Sequence, residues 1–187
     1  MGPGEVLRSI VPKLEQSDIQ YMVTGSIAAS YYGLARATYD LDIVISATPE
    51  KLKDLISLLP KEEYYAVLQD ALDAWRHQSM FNIIDTTRGW KIDLILQKSA
   101  SFHREAFQRR KTVTYEGVLT CFISGEDLVL SKLEWSKMSE SERQIKDVAV
   151  VLEKRGHSLD LPYIEKWVAE LGLTPQWLHA RRLADMD

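Results

Sequence analysis

The segment Asp40-Leu41-Asp42-Ile43-Val44-Ile45 organises the rest of the chain around it. It is short and rich in β-branched residues, which predicts a strand. Side chains two apart on an extended segment point to the same side. Asp40 and Asp42 therefore present two carboxylates together at the start of an apolar run. Like charges that close repel, so the arrangement costs stability unless a cation neutralises it. Hard divalent ions such as Mg²⁺ take oxygen ligands of this kind. The plainer alternative is that Asp40 ends a loop and Asp42 lies exposed at an edge.

Upstream, Tyr21-Met22-Val23 is a short apolar run, followed by a Thr24-Gly25-Ser26 turn and a small-residue helix from Ile27 to about Tyr32. Free N–H groups at a helix start, with the Ser26 hydroxyl, suit a phosphate. A Gly-Ser pair is equally an ordinary turn. Farther upstream, Val6, Leu7, Ile10, Val11 and Leu14 fall at helical spacing over residues 5–16, despite Pro12.

Downstream, Thr48-Pro49-Glu50 opens a helix that ends before Pro60. Phe81–Asp85 and Trp90–Ile95 flank the turn Thr87-Arg88-Gly89, which predicts a hairpin or two close strands. Asp93 interrupts the second of these apolar runs. Lys91 shares its face, so a solvated side is one reading. The other is a strand with one carboxylate beside a strand with two, which is what two-metal phosphoryl transfer needs. A helix over residues 101–110 and strands near 112–115 and 119–122 follow. After Ser124 the pattern turns helical, with segments at 125–137, 141–155, about 161–171, and one starting near Pro175. Two regions are expected, an α/β part over 1–124 and a helical part over 125–187.

Composition narrows the class without naming an activity. At 187 residues with 45% hydrophobic content, the chain can bury a core without staples. The lone Cys121 excludes an internal disulfide and a cysteine zinc site, and is expected to be a buried thiol. No apolar run reaches the roughly 18–20 residues that span a bilayer. The first ten residues lack the apolar stretch of a secretion signal, so a cytoplasmic protein with no membrane partner is expected. The net charge of −4 argues against a whole-surface footprint for nucleic acid, though not against a local basic groove.

Taken together, Val23-Thr24-Gly25-Ser26, thirteen intervening residues, Asp40-Leu41-Asp42 and a distant Asp93 resemble the nucleotidyltransferase (DNA polymerase β-like) superfamily. Within it, Arg36-x-Thr38-x-Asp40-x-Asp42 resembles the AbiEii/AbiGii-type minimal nucleotidyltransferases, which include toxins of type IV toxin–antitoxin systems. The tail segment Glu126-Asp127-Leu128 through Lys132-Leu133, then Arg143 and Lys146-Asp147, is similar to that family's downstream motif.

The resemblance implies an α+β nucleotidyltransferase-fold mixed sheet flanked by helices, with a C-terminal helical bundle. It also implies roles for individual residues. Asp40 and Asp42 hold two Mg²⁺ (or Mn²⁺) ions, and Asp93 joins them at the ion that activates the acceptor hydroxyl. Gly25 and Ser26 grip the triphosphate, and Arg36, Thr38, Lys132 and Asp147 contribute to nucleotide binding. The reaction implied is transfer of a nucleoside monophosphate from a nucleoside triphosphate to RNA (such as tRNA), a protein or a small molecule. A cognate antitoxin is then a further expected partner.

Geometry alone leaves two of these residues open. On a helix at about 100° per residue, Lys132 falls roughly 40° around from Leu128, on the apolar stripe. It either snorkels to water or reaches nucleotide phosphates as a point charge. Asp147 could simply pair with Arg143 four residues away. Trp135, Trp167 and Trp177 are expected to pack the helical core. Arg109-Arg110-Lys111 is expected to be a solvated helix end, with an RNA groove the other reading. Two other functions compete: a non-catalytic nucleotide- or partner-binding module on the same fold, and a glycosyltransferase using the Asp-x-Asp alone.

Overall fold

A computed structural model of the chain describes residues 2–34 and 37–186; Arg36 lies outside the described residues. The first half alternates helices and strands: α1 (Pro3–Gln16), β1 (Gln20–Val23), α2 (Gly25–Tyr31), β2 (Asp40–Ser46), α3 (Pro49–Ser57), β3 (Tyr64–Ala66) and α4 (Leu68–His77). It continues with β4 (Met80–Asp85), β5 (Trp90–Leu96), α5 (Ser101–Gln108), β6 (Lys111–Tyr115) and β7 (Val118–Phe122). The C-terminal part holds α6 (Gly125–Ser139), α7 (Glu142–Arg155), α8 (Leu161–Glu170) and α9 (Thr174–Leu183).

The strands form one seven-stranded sheet in the order β3-β4-β5-β2-β1-β7-β6. It is mixed: β2 runs parallel to β5 and β1 parallel to β7, while the remaining neighbours are antiparallel. The α+β class expected from the sequence is what the chain adopts. The hairpin expected at Thr87-Arg88-Gly89 joins β4 to β5, with Asp85 opposite Trp90. Asp85 is fully buried and closes the turn, accepting from the Arg88 N–H and guanidinium at 2.9 Å each.

Alternation along β2 sets which residues become core. Leu41, Ile43 and Ile45 are fully buried, as are Ile92 and Leu94 on β5. Each such side chain contributes about 1.5–3 kcal/mol through burial. Their neighbours Asp40, Asp42 and Val44 are exposed or half-buried, so the opposite face of the strand is open. In α1 the helical stripe Val6, Leu7, Ile10, Val11 and Leu14 is buried as its spacing predicts. In α4, Leu68, Ala71, Leu72 and Trp75 fall at helical spacing, and Ala71 and Ala74 are buried, while β3 is only three residues long. The β3 strand emerges only in the fold.

By compactness the chain forms two units, residues 2–27 with 37–122, and residues 28–34 with 123–186. In the second unit α6 is buried over most of its length, including Leu128, Val129, Leu130 and Leu133. Ser124 caps it by accepting from the Asp127 N–H at 3.1 Å. The buried Asp127 carboxylate in turn accepts from Ser124 and, at 2.7 Å, from the Tyr163 hydroxyl of α8. Trp167 and Trp177 are core residues, but Trp135 is 56% exposed. Burial of residues 125–130, 132, 133 and 136 leaves Trp135 on the remaining side of α6. Cys121 is half-buried rather than buried, since the inward positions of β7 are Val118, Thr120 and Phe122. No helix among the described residues is long and apolar enough to cross a membrane.

Candidate active site

Strand pairing brings the three acids together. β2 and β5 are parallel neighbours in a register that sets Asp42 beside Asp93 and Asp40 beside Lys91. Registered residues on adjacent strands share a face of the sheet. The open face thus carries Asp40, Asp42, Lys91 and Asp93, while the apolar residues between them point into the core. Asp40 is exposed, Asp42 half-buried and Asp93 buried. The pair on β2 does lie on one side, and the alternative of an exposed edge fails because β2 is the central strand of the sheet.

Electrostatics mark Asp42. Burial, then the charges of Asp93 and Asp40, push its carboxyl above the usual aspartate range. Lys91 and the Ser26 backbone N–H act against the shift. Thr38 supports the acid next to it: its hydroxyl accepts from the Asp40 N–H at 3.0 Å and donates to the Asp40 carbonyl at 3.3 Å.

Gly25 has a specific reason to be glycine. Its φ is +64°, a conformation L side chains seldom adopt. A Cβ built there would lie 1.9 Å from Asp42 Oδ2. The start of α2 is thereby held against the Asp42 carboxylate, and the Ser26 N–H points to that carboxylate.

Asp93 is engaged at both oxygens. Asn82, its register partner on β4, donates to Oδ1. Lys91 donates to Oδ2 at 2.8 Å, and this bond holds its ammonium above the usual lysine range. Neither Asn82 nor the commitment of Lys91 is evident from the sequence. The shared face of Lys91 and Asp93 was a usable signal; the partnership with Asn82 requires the hairpin register.

Among the described residues, no three His, Cys, Asp or Glu side chains converge on a point that could hold a metal ion. The donors nonetheless fit one in kind. Three hard carboxylates occupy one sheet face on adjacent strands, and their mutual repulsion would be relieved by a cation.

Lys132 and Asp147 belong to the second unit and bond to each other. Lys132 Nζ donates to Asp147 Oδ2 at 2.7 Å and to Gln144 Oε1 at 3.0 Å. The ammonium does not snorkel to water, because the side chain is only 8% exposed. Asp147 looks across to α6 rather than along its own helix to Arg143, since the inward face of α7 carries it into the helix interface.

No family model and no curated protein matches the chain. Solved structures do share its fold. The antibiotic-resistance factor ANT(2'')-Ia in solution superposes with a TM-score of 0.58 at 10% identity, covering 95% of each chain. ANT(2'')-Ia in complex with adenylyl-2''-tobramycin gives a TM-score of 0.58 at 11% identity over 89% of this chain and 95% of that one. An antigenic nucleotidyltransferase-like protein from Paracoccidioides brasiliensis gives a TM-score of 0.53 at 17% identity, over 96% and 91%. The chain therefore has a nucleotidyltransferase-like fold.

Proposed function

We propose that this protein transfers a nucleoside monophosphate from a nucleoside triphosphate to an acceptor hydroxyl, releasing pyrophosphate. The observation that carries the proposal is the register of β2 on β5, which sets Asp40, Asp42 and Asp93 on one open face with a glycine packed against Asp42. Such chemistry needs positioning and charge neutralisation more than a protein nucleophile. Two bound Mg²⁺ or Mn²⁺ ions would neutralise the triphosphate and favour ionisation of the acceptor hydroxyl.

The chain's own residues do the rest. Asp40 and Asp42 would hold the cations at the β2 start, and Asp93 would join them. Thr38 keeps the Asp40 backbone in place. The missing Cβ of Gly25 leaves room for Asp42 beside the start of α2, where Ser26 offers a hydroxyl to phosphate. Arg36 is assigned to nucleotide contact on the family resemblance alone; the same assignment for Lys132 and Asp147 competes with their bond to each other.

The acceptor is RNA, a protein hydroxyl or a small molecule. The AbiEii/AbiGii-like motif supports a macromolecular acceptor, a toxin role and a cognate antitoxin. The fold shared with an enzyme seen with adenylyl-2''-tobramycin supports a nucleotide substrate. The test is to incubate the full chain with each α-labelled nucleoside triphosphate, Mg²⁺, and total RNA, cell lysate protein or aminoglycosides in separate reactions. Label should move to one acceptor class with stoichiometric pyrophosphate, and Asp42→Asn should abolish it. Absence of transfer and of pyrophosphate with every triphosphate and acceptor would refute the proposal.

A further inference from the structure

Three negative charges share the open face of β2 and β5, yet Asp93 has both carboxylate oxygens engaged. Its two partners differ in kind. Asn82 is neutral and holds Oδ1 from the neighbouring strand. Lys91 carries the positive charge, sits opposite Asp40 in the parallel register, and interacts electrostatically with all three acids.

We infer that Lys91 is the built-in counter-cation of the three-acid site, holding Asp93 in the cation-free protein and releasing it when a divalent ion enters. The inference rests on the metal-binding reading of these acids. Mobility separates the partners: the Lys91 side chain is 44% exposed and that of Asp93 8%. A long side chain with that exposure can carry its ammonium into water while its stem stays on the sheet. Asp93, buried and tethered by Asn82, stays where it is. The ion pair itself is weak, because partly exposed pairs are screened by solvent. A dication, with twice the charge and several oxygen ligands, displaces it. Lys91 therefore sets the threshold for cation loading: it lowers repulsion among the acids when the site is empty and competes with the incoming ion.

The test is direct Mn²⁺ binding without nucleotide, read by the loss of the free-ion electron paramagnetic resonance signal. Wild type, Lys91→Met, Lys91→Arg and Asp42→Asn are compared as full chains, with melting in EDTA as a second readout. Lys91→Met should bind Mn²⁺ at least about tenfold more tightly, the order expected when one unit charge is removed beside a dication. It should also melt lower than wild type in EDTA and regain the difference with Mn²⁺. Lys91→Arg keeps the charge and should bind like wild type. Equal or weaker Mn²⁺ binding by Lys91→Met, with Asp42→Asn blind to Mn²⁺, overturns the counter-cation role and leaves the metal site standing. Absence of Mn²⁺ binding by every variant overturns both.

Discussion

Lys132 and Asp147 meet at 2.7 Å with side chains 8% and 11% exposed, and Gln144 takes a further hydrogen of the ammonium. Asp40, Asp42 and Asp93 share one lysine that is 44% exposed. The Lys132–Asp147 pair thus matches one acid with one cation, whereas the sheet face carries, among the described residues, three acids beside one lysine. A buried pair with its partners in place is a structural link, costly to break from one side. A surplus of like charge held on a rigid strand destabilises the empty state, and a ligand of opposite charge recovers that free energy. In sequence both groups look alike, as charged residues on otherwise apolar elements. Only the balance of charge around each distinguishes them.

The largest effect expected from breaking this contrast is on the helical side. Lys132→Met leaves Asp147 buried without its cation and should cost about 3–5 kcal/mol in urea unfolding. If Lys132 acts only on nucleotide, stability should stay within about 0.5 kcal/mol of wild type, with the loss appearing in triphosphate affinity.

Gly25→Ala should come next. A Cβ 1.9 Å from Asp42 Oδ2 on a backbone with φ +64° forces Asp42 or α2 to move. Backbone strain of this kind costs about 1–3 kcal/mol. Thermal unfolding of the cation-free protein measures it.

Asp42→Asn should have the smallest effect, and of opposite sign. Removing a carboxylate whose charged form is disfavoured by burial and by Asp93 and Asp40 should raise the stability of the cation-free protein at pH 7. The pH dependence gives a further check. Because the folded carboxyl lies above its unfolded value, its stabilising contribution is complete below about pH 4 and is lost as pH rises through the folded value. The advantage of asparagine should therefore shrink as pH falls toward 4, and paired denaturation curves across that range should show the difference closing. A mutant that is less stable than wild type at pH 7 would mean that Asp42 is not under electrostatic strain.

Local pattern determined a good deal of this protein. The β-branched run after Asp42 is β2, the alternation around Asp93 is β5, and the stripe from Val6 to Leu14 is α1. Their periods are short-range properties of the chain, and so is the placement of Asp40 and Asp42 on one side. The tertiary structure decided what these elements meet. Parallel pairing sets Asp93 beside Asp42, and the hairpin register brings Asn82 to Asp93. The close approach of Gly25 to Asp42, with φ +64°, makes Gly25 obligatory, and the α6–α7 interface turns Lys132 to Asp147. Residues 64–66 became β3 with almost no local signal, because a three-residue strand depends on its neighbour β4 for stability. Strand register, backbone approach and charge pairing join residues far apart in the chain. They are fixed by the free energy of the packed whole, which no window of sequence contains.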